Sequence, residues 1–140
     1  MKKAVIYYRS KSGTTKYFAG AVSKYLETQN IKSECFSVFD YSENQLADTD
    51  VVLLGCWTHG LFIAFQHPDK EWVEFAQKLP NLKNKKIALF TTYKLATGSM
   101  FKKMEKQLKG KIDSISITLK SKSEKLTPEH EKVISEFVKS

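Results

Sequence analysis

Two runs constrain the fold more than anything else in this chain. Residues 51–56 and 87–92 are almost unbroken in apolar and small side chains. They show no alternation of polar and apolar positions, which is the pattern of a strand covered on both faces. Such strands occur in parallel sheets, where the connecting helices pack on either side. The spacing between the runs supports that reading. Residues 69–79 place Trp72, Phe75, Ala76 and Leu79 at helical intervals after Pro68, so a helix is predicted between the two strands.

The same alternation extends along the chain. Residues 4–8 read as a first strand. A helix over 14–29 follows, with Phe18, Val22 and Leu26 four apart. Residues 32–38 read as a second strand, and the polar stretch 40–50 has room for one short helical turn. A helix over 98–109 is predicted to stop at Gly110. Residues 112–119 alternate as an edge strand would, and Thr127-Pro128-Glu129 caps and starts a last helix. In that helix Ile134, Phe137 and Val138 face inward. The expected architecture is a single α/β domain over residues 1–140. It is a doubly wound, five-stranded parallel sheet with helices on both faces and strand order 2-1-3-4-5.

Composition narrows the function classes. The 140 residues are 41% hydrophobic and 27% charged, as a globular domain requires. No apolar run is long enough to cross a membrane, and the amino-terminal run is too short for a signal peptide, so a cytoplasmic protein without membrane insertion is expected. Cys35 and Cys56 are expected to be free thiols. Cys56, His59 and His67 match no standard zinc spacing, so no metal is expected. The net charge is +8, almost all of it lysine, with Arg9 the only arginine. Such a charge favours acidic partners. The lysines are scattered, Lys102, Lys106 and Lys109 on one helix face read as a solvated face, and no nucleic-acid module is present.

Ligands of such sheets bind beyond the carboxyl ends of the strands, which here means loops 9–14, 57–67 and 92–98. The first loop holds Ser10, Lys11, Ser12, Gly13, Thr14 and Thr15 at the start of a helix. Unpaired backbone N–H groups and neutral hydroxyls at that point suit a phosphate. The plainer reading is a helix cap with a glycine turn. The loop has neither the Walker spacing nor the Gly-x-Gly-x-x-Gly pattern. The other two loops carry Trp57 and Tyr93, which either stack on a ligand or pack against the protein. His59 is a candidate proton donor or a solvated loop histidine. The apolar segment 61–65 reads as a docking patch, a lid or core. A phosphate cradle with flat side chains on two further loops suits a planar ring on a phosphorylated tail.

With these loops together, the chain resembles the short-chain flavodoxins over essentially its whole length. Their first loop, Ser/Thr-x-Thr/Ser-Gly-x-Thr, is matched by Ser10-Lys11-Ser12-Gly13-Thr14-Thr15. The resemblance implies bound flavin mononucleotide, FMN, with its phosphate on Ser10, Ser12, Gly13, Thr14 and Thr15 and with Lys11 beside it. It also implies flavin contacts from Trp57, Thr58, His59 and Gly60 and from Thr92, Tyr93 and Gly98. No residue of the protein would act as a catalytic acid, base or nucleophile. Two departures stand out. The segment Thr91-Thr92-Tyr93-Lys94-Leu95-Ala96-Thr97-Gly98 keeps only the tyrosine and last glycine of the family's aromatic-glycine loop, with Leu95 where a tryptophan often sits. The family is usually acidic, and this chain is basic. The expectation is an electron carrier with redox partner proteins of acidic surface. The alternatives are an FMN-dependent oxidoreductase of the quinone or protoporphyrinogen type and a flavin-free regulatory domain of the same fold.

Overall fold

The computed structural model describes residues 2–61 and 64–140, with the backbone alone for 60, 61, 64 and 65. Five strands form one sheet: β1 (Lys3–Arg9), β2 (Lys32–Ser37), β3 (Val51–Trp57), β6 (Lys86–Thr92) and β7 (Ile117–Ser121). Every neighbouring pair is parallel, and the order is β2-β1-β3-β6-β7. Counted among these five strands alone, that is 2-1-3-4-5, as the sequence implies. Between β3 and β6 lie β4 (His59–Leu61) and β5 (Ala64–His67), a two-stranded antiparallel hairpin.

Alternating strand positions feed two cores. Ala4, Ile6, Val51, Leu53, Ala88 and Phe90 point to one face. There they meet Phe18, Val22 and Leu26 of α1 (Thr14–Thr28) and Ile134, Phe137 and Val138 of α4 (Pro128–Lys139). Val5, Tyr7, Val52, Leu54, Ile87 and Leu89 point the other way. They meet Trp72 and Phe75 of α2 (Lys70–Lys78) and Met100 and Met104 of α3 (Met100–Gln107). Runs 51–56 and 87–92 are apolar because each strand feeds both cores.

The stretch 40–50 holds one short turn, the 3-10 helix Glu43–Leu46, as the sequence allows, and another, Val38–Asp40, leads into it. Two elements depart from expectation. The segment expected as loop 57–67 contains the hairpin. The last strand is Ile117–Ser121, not 112–119. Ile112 and Ile115 are apolar because they pack, half-buried, against the α2–α3 core, so their alternation reflects core contact rather than ladder pairing. Gly110 ends the α3 segment at φ +83°, as the sequence implies.

Candidate functional site

A cleft of about 590 Å³ opens at the carboxyl ends of β1, β3, β6 and β7. Its lining draws on the three loops singled out in the sequence. Lys11, Ser12, Thr14 and Thr15 come from the first, Trp57 and Thr58 from the second, and Thr92 and Tyr93 from the third. Five lining residues were not among the candidates: Gln66, Lys94, Leu95, Ala96 and Lys122. Gln66 falls within loop 57–67 but carried no signal of its own, and it belongs to the hairpin. Lys122 follows β7, and only the sheet order brings it here.

The first loop is shaped by its own hydrogen bonds. Gly13 N–H donates to Ser10 Oγ at 3.0 Å, and Gly13 adopts φ +103°, which an L side chain rarely tolerates. Ser10 and Gly13 therefore build the turn and are not among the residues lining the cleft. No side chain caps α1, and its first turn holds no acidic residue. By contrast, α2 starts on Asp69 and α4 on Thr127, each accepting a backbone N–H through its side chain. The first N–H groups of α1 thus lie beside the hydroxyls of Ser12, Thr14 and Thr15, a neutral set suited to an anion.

Buried threonines join the loops. Thr15 Oγ1 and Thr92 Oγ1 are 2.6 Å apart, and both residues are buried. Thr91 Oγ1 lies 2.6 Å from the Cys56 carbonyl and 2.7 Å from Thr58 Oγ1. Because Thr91 has one hydroxyl proton and gives it to the carbonyl, Thr58 must donate to Thr91. That leaves Thr58 Oγ1 as an acceptor at the cleft, suited to a ligand edge that carries an N–H.

Aromatic and cationic groups supply the rest. Trp57 donates its indole N–H to Asp69 Oδ2 at 2.7 Å. Lys11 Nζ sits 5.0 Å from the Trp57 ring centroid, and Lys122 Nζ 5.7 Å from that of Tyr93. The exposed His59 ring lies 4.8 Å from Trp57 and 4.6 Å from His67, and His59 is not among the residues lining the cleft. Gly60 belongs to β4, with only its backbone described. Gly98 is not a lining residue: it has φ +50°, and a Cβ there would overlap the side-chain oxygen of Gln66. Its part is to let the 92–98 loop approach the hairpin. The apolar segment 61–65, expected as a patch, lid or core, lies outside the described side chains.

Both cysteines are free. Burial pushes the Cys35 thiol up from 9.0 to about 11, and burial raises Cys56 further. Neither presents a thiolate nucleophile near neutral pH. Among the described residues, no cluster of three potential metal ligands occurs.

The flavodoxin domain model matches residues 5–138. The chain belongs to the flavodoxin domain family. Solved flavodoxins share the fold at low identity. The two-electron reduced flavodoxin of Megasphaera elsdenii is 22% identical, with 98% of this chain and 99% of that chain covered and a TM-score of 0.77. Oxidised flavodoxin 2 of Bacillus cereus is 21% identical over 96% of this chain and 94% of that chain, with a TM-score of 0.74. A Fusobacterium nucleatum flavodoxin variant bound to flavin mononucleotide is 14% identical over 100% of this chain and 95% of that chain, with a TM-score of 0.63. Of the residues expected to contact the cofactor, Ser10, Gly13, His59 and Gly98 are not among those lining the cleft, and Gly60 lies outside the described side chains.

Proposed function

We propose that this flavodoxin is an FMN-binding electron-transfer protein acting as one domain over residues 1–140. The observation that carries the reading is the meeting of an uncapped helix N-terminus, three hydroxyl side chains and two aromatic residues in one cleft. Its volume, about 590 Å³, falls within the range of small-molecule and cofactor sites. Ser12, Thr14 and Thr15 hold the phosphate, Trp57 and Tyr93 flank the ring, and Thr58 accepts from its N–H edge. The bound flavin takes up and releases the electrons, while the protein binds, orients and shields it. The cleft mouth serves redox partner proteins of acidic surface, a reading supported by the net charge of +8. Two free, buried or half-buried cysteines support a cytoplasmic setting. Among the described residues, no helix is long and apolar enough to cross a membrane.

Calorimetric titration with FMN and riboflavin tests the reading. The hydroxyl loop makes FMN bind at least roughly tenfold more tightly, the minimum for one hydrogen bond to a charged group. A protein that stays colourless in excess FMN overturns the assignment, and equal affinity for riboflavin overturns the role of the loop.

A further inference from the structure

Beneath the cleft, one carboxylate ties together three elements. Asp69 is only 7% exposed and caps α2, with Oδ1 accepting the Trp72 backbone N–H at 3.0 Å. Its other oxygen holds β3 and β1. Oδ2 accepts the Trp57 indole N–H at 2.7 Å and lies 2.9 Å from Arg9 Nε. The Arg9 contact is off the N–H axis, so charge rather than a directed hydrogen bond holds it. Through Nη1, Arg9 donates to the carbonyl of Ser10, the first residue of the hydroxyl loop. The guanidinium also sits 5.4 Å from the Phe39 ring centroid. Thus the end of β1, the end of β3 and the start of α2 converge on a single buried side chain.

We propose that Asp69 is a positioning residue for the cofactor cleft, fixing the Trp57 indole directly and the entry to the phosphate loop through Arg9. The inference rests on the FMN reading above and adds to it a residue that lines no part of the cleft. The chemistry is specific to a carboxylate. A helix cap alone requires one short acceptor, which serine supplies. Holding an indole N–H and balancing a half-buried guanidinium needs a second, charged oxygen at longer reach. An indole without that bond keeps its area but loses its fixed plane, and a stacking platform that must be ordered on binding gives up affinity.

Three variants separate the cap from the positioning. Asp69→Ser keeps an N-cap oxygen and withdraws the contacts to Trp57 and Arg9. Asp69→Asn keeps the size, removes the charge, and leaves one oxygen for two N–H donors. Trp57→Phe keeps an aromatic ring and removes the indole N–H while leaving Asp69 and Arg9 intact. FMN and riboflavin affinities are measured for each, with the indole N–H resonances of the flavin-free proteins, the Trp57 signal being assigned by its loss in Trp57→Phe. Asp69→Ser is expected to shift the Trp57 resonance and weaken both ligands roughly tenfold or more, as for loss of a charge-assisted hydrogen bond. The double variant Asp69→Ser/Trp57→Phe is expected to bind no more weakly than the worse single variant, because both break one link. An unchanged Trp57 resonance, wild-type affinity in Asp69→Ser and Asp69→Asn, or fully additive losses in the double variant overturns the proposal. If Asp69→Ser does not fold, Asp69→Asn and Trp57→Phe decide it by the same measurements. Wild-type protein that takes up no FMN overturns the function reading itself, a result distinct from wild-type binding that Asp69 variants leave intact.

Discussion

Thr14 and Thr15 are adjacent in the sequence and have different tasks. Thr15 is buried, its hydroxyl 2.6 Å from that of Thr92, so it ties α1 to β6 as well as facing the cleft. Thr14 opens α1 and lines the cleft. Thr14→Ala is therefore expected to weaken FMN about ten- to hundredfold while leaving thermal stability nearly unchanged. Thr15→Val should weaken FMN and also cost about 1–3 kcal/mol of stability, because it strands the buried Thr92 hydroxyl. Paired calorimetry and denaturant titrations check both, and equal stability losses in the two variants would contradict the division. The sequence displayed this loop plainly, because strand, hydroxyl cluster, glycine and helix are local signals. It did not reveal that Ser10 Oγ accepts the Gly13 N–H, a role in the turn that leaves the hydroxyl's own proton free to donate.

Elements were legible where their period was set by burial. Strands β3 and β6 stood out because both faces are covered, and α4 because its cap, proline and apolar spacing agree. The hairpin of β4 and β5 was hidden. Each strand is only three or four residues long, too short for alternation to register. It matters nonetheless, because it delivers Gln66 into the cleft and brings that side chain against Gly98. Replacing Gly98 by alanine combines an unfavourable φ of +50° with a Cβ in the path of the Gln66 side chain. Strain and overpacking together are expected to cost about 1–3 kcal/mol. Relief would come from displacing Gln66, so FMN affinity should fall with stability. Urea titration and FMN titration of Gly98→Ala check this. Loss of stability with wild-type affinity would show that the contact supports the fold alone.

Charge is a property of the whole molecule, and here it converges on the cleft. The protein carries +8, and among the described residues its cleft is lined by three lysines, Lys11, Lys94 and Lys122, and by no carboxylate. Adding two electrons to a bound flavin with a single proton leaves negative charge on the ring. Each lysine favours that charge by Coulomb attraction. For a unit charge about 7 Å away the effect is roughly 0.6 kcal/mol in bulk water and roughly 2.4 kcal/mol at an effective dielectric near 20. Lys11, Lys94 and Lys122 are exposed, so solvent pulls each contribution toward the lower figure, and salt weakens it further. Burial of the ring acts in the opposite sense by disfavouring any charge. Because three cations act together and none is offset by a carboxylate in the lining, attraction is expected to outweigh burial at low salt. The second reduction potential should then be less negative than in a flavodoxin whose cleft is acidic. Lys94→Glu and Lys122→Glu should each make it more negative, and the difference from wild type should shrink as ionic strength rises. Potentiometric titration at low and high salt checks both statements. A second potential that neither substitution moves at low salt would show that these lysines serve partner docking alone.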